Sequence, residues 1–419
     1  MAALLSNLNL RERIRKALPT SQVLKVMSIS TFINTFGNGL FFTVEIIFLT
    51  RSVGLTPHQV GFGFTLAALC AFPMSVPAGQ IAHRINIRKF VAISQTIQGI
   101  AAASFIFIHS YSAFLMLTIS VEILVSFTQT FRMVLINQVG GAGEERVSFR
   151  AYQRAVTNLG IGMGTAFAGI ALIIDTHAGY ATIVVLNGIT FIIAALVLLK
   201  VPYTGSEKID EEPRVDDRFI ALKDKKYISA MLLNAIYSSH FIIQGVALPL
   251  WIIRYTKAPH WTISVVFLIN TIACVLFSVR ASKGTSNVVV ASKVFFKAGL
   301  FVAAACVLYA LAQGASAWAA CGLLFVGMGL HTVGELLGSA AGWGLGFGLA
   351  DERYQGQYQG IWQMSWSLGG IAGPALITAA VVDLHKVGWL ILGAVFTVST
   401  FLFIPLVKSM KNRHHSHLA

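Results

Sequence analysis

The sequence predicts an all-α polytopic membrane protein: twelve transmembrane helices in two six-helix bundles related by a pseudo-two-fold axis. An apolar composition, twelve apolar runs and an internal repeat flanking a charged segment carry that prediction. Of 419 residues, 56% are hydrophobic and only 11% charged, with a mean hydropathy of +0.72. No soluble domain of this size tolerates such a surface in water.

The apolar runs lie near residues 26–50, 59–82, 90–109, 111–138, 152–174 and 179–199, then 227–252, 261–279, 294–313, 317–349, 356–382 and 387–407. Each is long enough as a helix to cross a hydrocarbon core of about 30 Å. Residues 200–226 are a mixed-charge stretch too polar to cross, and read as a cytoplasmic linker between halves at 26–199 and 227–407. The repeat supports that division, because Leu368-Gly369-Gly370-Ile371-Ala372-Gly373-Pro374 restates Leu159-Gly160-Ile161-Gly162-Met163-Gly164-Thr165.

A net charge of +14 and pI of about 9.8 would suggest a nucleic-acid partner in a soluble chain, but here the positive charges gather on one side of the membrane. On this threading roughly 24 of the 31 Lys and Arg residues fall in the termini, even-numbered loops and linker, which places both ends in the cytoplasm of a multi-pass cell-membrane protein. Residues 1–25 form a cytoplasmic segment in which Arg11, Arg13, Arg15 and Lys16 suit an amphipathic helix, and the run that follows is too long for a cleaved signal. Residues 408–419 form a basic tail with His414, His415 and His417. Cys70, Cys274, Cys306 and Cys321 fall within spans without metal-ligand spacing, so neither a metal nor a cofactor is expected. The expected assembly is a monomer in the lipid bilayer.

Glu45, Glu122 and Glu335 are the acids placed inside spans, and His331 lies one turn from Glu335 on the same helical face. An acid at that depth needs a wet cavity, a partner or a proton, which makes these four the proton-coupling candidates. Asn34 and Asn38 share a face with Glu45, either lining a cavity or bonding a neighbouring helix. Tyr237, His240 and Gln244 form a polar face on the seventh span. Gln359 with Gln363, and Trp362 with Trp366, form amide and aromatic ridges on the eleventh, groups that suit a large amphipathic ligand when they surround a cavity. Glu122 and Arg132 on the fourth span are about 15 Å apart along the helix and on different faces, so each needs another partner.

The loop from Gly79 to Lys89 resembles the loop signature of the major facilitator superfamily. Gly79, Arg84, Arg88 and Lys89 match it; His83 stands where the family has Asp, and Asn86 where it has Gly. In that family the Asp helps latch the cytoplasmic ends of the halves, so His83 is either a pH-sensitive version of the latch or a tolerated loop change. The fifth span resembles the family's antiporter signature: Gly160, Gly164 and Gly169 match, whereas Thr165 replaces Pro and Ala168 replaces Gly. Its second copy keeps Gly373-Pro374. The stretch from Val333-Gly334-Glu335 through Arg353 to Trp366 resembles the tenth-to-eleventh-helix region of twelve-span drug exporters.

The resemblance implies a secondary active transporter: a proton-coupled antiporter that exports an amphipathic organic compound, a drug or natural product, by alternating access at a site between the bundles. A proton-coupled importer of a small nutrient is the alternative. No phosphate-binding loop points to ATP, no converging nucleophile, base or metal cluster points to an enzyme, and the two-bundle repeat argues against a channel.

Overall fold

Apolar runs of this length satisfy their backbone hydrogen bonds internally only as helices, and every regular element among the described residues is helical. The computed structural model describes residues 21–202 and 219–416, apart from positions 83 and 175. His83, the basic residues Arg11, Arg13, Arg15 and Lys16, most of the linker and His417 therefore lie outside the described residues, as do the side chains of His414 and His415.

The long helices are α1 (Gln22–Ile47), α2 (His58–Ile81), α3 (Ile87–Phe107), α4 (Tyr111–Val139), α5 (Gly143–Ile174), α6 (His177–Leu198), α7 (Lys225–Tyr255), α8 (Thr262–Ala281), α9 (Val288–Ala312), α10 (Ala317–Gly348), α11 (Glu352–Asp383) and α12 (His385–Met410). All except α1 and α5 meet the length and apolarity needed to cross a membrane, ten among the described residues. Polar caps set where several begin: side-chain oxygens of Thr56, Asn86, Ser110, Thr176, Asp224 and Asn287 accept backbone N–H groups of the first turns of α2, α3, α4, α6, α7 and α9. Thr56 and Gln59 complete a reciprocal capping box. α5 starts nine residues before the apolar run that announces it, because arginines in its first turns lower the hydropathy without weakening the helix.

α1 packs against α5 and α6, α3 against α6, and α2 against α4. The partnerships recur six helices later: α7 with α11 and α12, α9 with α12, and α8 with α10. Early and late helices meet where α5 touches α8 and α10, and where α2 and α4 touch α11.

Glycines permit the closest approaches. A Cβ on Gly164 would lie 2.1 Å from the Phe36 carbonyl oxygen and one on Gly160 2.2 Å from Thr35 Oγ1, so both are required where α5 crosses α1. Gly373 does the same for α11 against Ile242 of α7. Gly169 differs: a Cβ there would meet nothing within 4 Å, so this match to the glycine signature has no packing role in this arrangement.

On the side where the linker joins α6 to α7, the halves are in contact. A Cβ on Gly79 at the end of α2 would lie 2.3 Å from the carbonyl oxygen of Gly356 on α11, and Gly360 is equally close to Ser75. The Gly284 N–H donates to Glu144 Oε1 (2.5 Å), tying the start of α5 to the turn after α8. In the loop itself, Arg88 donates to the Val201 carbonyl (2.6 Å) and Asn86 Oδ1 caps the Lys89 N–H, while Arg84 is exposed.

Candidate functional site

Glu335 lies midway along α10, 2% exposed, and its carboxylate is surrounded by donors from three other helices. Arg154 of α5 donates to Oε1 (2.5 Å), Gln244 of α7 to Oε2 (2.6 Å) and Asn270 of α8 to Oε2 (2.8 Å). Cys274 Sγ lies 3.5 Å from Oε1. Gln244 reaches in from a π-helical turn, Ile243–Ala247, which re-aims the side chains of α7 at that level. A charge at this depth survives because every lone-pair direction is answered.

Arg154 ends a ridge that sequence reading did not assign. Arg146, Arg150 and Arg154 are spaced one turn apart on α5 and face α10: Arg146 stacks over Phe347 (4.8 Å to the ring centroid), Arg150 over Trp343 (5.5 Å), and Arg154 pairs with Glu335. Arg154 also sits 4.7 Å over the ring of Phe241. Met133, Val147, Ala151, Trp343 and Phe347 form the small apolar cluster that seals this contact toward the linker side. The legible signal was three arginines at four-residue intervals, immediately before the glycine motif of one helix.

Two cavities open beside the ridge and share Asn34, Asn38, Gln129 and Arg132. The larger, about 760 Å³, carries Glu45 and Glu122 among phenylalanines and amides of α1 to α4, and is closed on one side by α11 from Gly370 to Ala375, Pro374 included. The smaller, about 360 Å³, carries Arg132, Arg150 and Arg154 with Gln363, Trp343 and Trp366. Arg132 finds its partner on α1: its Nη2 donates to Thr31 Oγ1 (3.0 Å), and Thr31 donates to Gln153 (2.6 Å).

Of the remaining candidates, Asn34, Asn38, Gln363 and Trp366 line these cavities. Others do not. Gln359 is 0% exposed and donates to the Gly346 carbonyl (3.1 Å), and Trp362 is 1% exposed with its indole flat on Gly346 and near Tyr227. Both pack α11 onto α7 and α10, because the missing side chain of Gly346 leaves room for an indole there. Tyr237 is buried and donates to the Gly334 carbonyl (2.9 Å). His331, expected to face the cavity with Glu335, is buried behind it; Nε2 meets His240 Nδ1 at 3.0 Å and Nδ1 meets Tyr309 at 3.4 Å. Among the described residues no three His, Cys, Asp or Glu side chains converge as a metal site.

A helical membrane protein whose early and late helices together wall a polar, charge-lined cavity has the build of a carrier. The chain belongs to the Major Facilitator Superfamily, whose model matches residues 27–374. It is therefore a secondary transporter and not an enzyme. Solved structures of transporters share the fold. A bacterial homologue of the iron transporter ferroportin in an outward-facing state is 14% identical, with a TM-score of 0.74 over 94% of this chain and 100% of that one. The E. coli fucose:proton symporter FucP is 13% identical, with a TM-score of 0.71 over 91% and 97%. The nucleoside transporter NupG is 15% identical, with a TM-score of 0.59 over 92% and 100%. At these identities the likeness is one of fold, and the three cargoes differ. No curated protein matches the chain in sequence.

Proposed function

We propose that the protein is a proton-coupled antiporter that exports an amphipathic organic compound by alternating access between two six-helix bundles, residues 26–199 and 227–407. In this reading all twelve long helices span the cell membrane of a monomer, with both termini and the linker cytoplasmic. The recurrence of helix pairings six helices on supports the two bundles, and the one-sided Lys and Arg distribution supports the orientation.

The observation that carries the reading is the Arg154–Glu335 pair, which joins α5 to α10 beside the cavities. Opening the linker side moves α5 away from α10 and parts the two groups. A carboxylate left without its partner at that depth is stabilised by a proton, so proton uptake accompanies opening and proton release accompanies closure. The exporter resemblance of α10 and α11, together with the aromatic and amide lining of the larger cavity, supports an amphipathic solute.

One observation favours the importer as a second reading. Three guanidinium groups and no carboxylate line the smaller cavity. Were the solute an acid, a proton on Glu335 would free Arg154 for it, and proton and acid would cross together.

The test is transport in sealed proteoliposomes under an imposed pH gradient, with amphipathic drugs, peptides, sugars and organic acids as solutes and a pH dye inside. Antiport moves protons against the solute and symport moves them with it. An absence of solute-accelerated exchange in counterflow would leave a channel and defeat both.

A further inference from the structure

We propose that the solute is an organic anion whose acidic group is held in the smaller cavity by Arg132 and Arg150. The inference deepens the transporter reading and rests on it, but holds for either direction of transport.

The smaller cavity concentrates positive charge that the protein does not neutralise. Of its three arginines, Arg154 is taken by Glu335. Arg132 makes one neutral hydrogen bond, to Thr31. Arg150 makes neither a hydrogen bond nor an ion pair among the described residues; one face of its guanidinium lies on Trp343, and its Nε is buried without an acceptor. Among the described residues the fixed groups of the cavity thus leave two guanidinium charges uncompensated, a costly arrangement that an anion completes.

The unsatisfied atoms point to the same ligand. The buried polar atoms without partners on the lining residues are Asn34 Nδ2, Gln153 Nε2, Arg150 Nε and Arg154 Nε. All four are N–H donors, so an occupant of this cavity must supply acceptors. A carboxylate, phosphonate or sulfonate does so, and its planar or tetrahedral oxygens suit the fork of a guanidinium.

Size and charge then orient the solute. The smaller cavity admits an acidic head, and the larger, entered past Asn34, Asn38 and Gln129, admits the body. Glu45 and Glu122 line that larger cavity, so the far end of the solute carries no acid.

The experiment uses the full chain in lipid nanodiscs, with thermal unfolding followed by tryptophan fluorescence. The probes are size-matched: 2-naphthoate, 2-naphthamide and 2-naphthylmethylamine, then hexanoate and hexanamide. Expected is a rise in unfolding midpoint with the acids and none with the amides or the amine. Arg150→Gln is expected to weaken the acid response about tenfold or more, Arg132→Gln similarly, and Arg150→Lys less than Arg150→Gln. Either Gln variant suffices should the other fail to fold. Equal responses to amide or amine, acid responses that both Gln variants leave unchanged, or no response to any acid overturn the proposal. Counterflow with the same probes separates it from the reading beneath it. Exchange of amide or amine keeps the transporter and removes the anion, whereas acid binding without exchange keeps the site and removes the transporter.

Discussion

The Arg154 guanidinium and the Glu335 carboxylate meet at 2.5 Å although 181 residues separate them. One sits on α5 and the other on α10, so the contact is a fastening between early and late helices as well as a solution for a buried charge. Its neighbours on both helices continue it: Arg150 on Trp343 and Arg146 on Phe347.

Breaking that fastening from one side is expected to be worse than removing it. Glu335→Gln leaves Arg154 without its counter-charge and is expected to lose about 3 kcal/mol of stability, the lower end for a buried pair because Arg154 is 18% exposed. The double variant with Arg154→Gln is expected to recover part of that loss, giving a coupling energy well above that of a surface pair. Unfolding of the two single variants and the double in detergent measures it. Additive losses would show that the two groups do not stabilise one another. In proteoliposomes Glu335→Gln is also expected to abolish the response to a pH gradient.

The linker-side closure depends on the absence of a side chain at Gly79. A Cβ there would stand 2.3 Å from a backbone oxygen of α11, which has no side chain to swing aside. Gly79→Leu is therefore expected to hold α2 away from α11 and favour an arrangement open on that side. Ser75→Cys, buried at this contact, then reports the change as faster labelling by a water-soluble maleimide in the Gly79→Leu background. Unchanged labelling would show that another contact keeps the side closed.

Most of the architecture was legible because a bilayer leaves the chain so few choices. Twenty apolar residues in a row read as a spanning helix, and the structure adds the caps at Thr56, Asn86 and Ser110 that set where three of them begin. Side-chain destinations were less legible. Helical spacing puts Trp362 and Trp366 on one ridge, yet Gly346 on another helix decides that the first is packed while the second borders a cavity. Periodicity names a face but not what covers it. Glu335 stood out as a lone charge in an apolar run, whereas Arg154 lay in a polar turn and gave no such contrast until α10 was placed against it.

The glycine signature on α5 separates into parts with opposite responses to one methyl group. At Gly164 a Cβ would lie 2.1 Å from the Phe36 carbonyl oxygen, so Gly164→Ala must push α1 outward, and a loss of about 1–3 kcal/mol is expected. At Gly169 the same change meets open space, so alanine gains helix propensity and is expected to be neutral or to stabilise by up to about 1 kcal/mol. Thermal midpoints of the two variants, measured side by side, decide it. Equal destabilisation would mean that Gly169 is needed in a different arrangement of the helices.

Glu45 and Glu122 allow the proton-coupling role to be apportioned. Both border the larger cavity, and among the described residues no arginine of the late helices lines it. Among the described residues Glu335 alone of the three is ion-paired, and its partner sits on α5. Movement of the halves therefore changes the surroundings of Glu335 most, and Glu45→Gln and Glu122→Gln are expected to alter solute affinity while leaving pH-driven transport in place. Under the anion assignment the direction is fixed as well, since replacing a cavity carboxylate by an amide removes repulsion and should lower KM. Initial rates across solute concentrations, with and without a pH gradient, separate the effects. Loss of the gradient response in either variant, with Glu335→Gln unaffected, would move the coupling proton from α10 to the wall of the larger cavity.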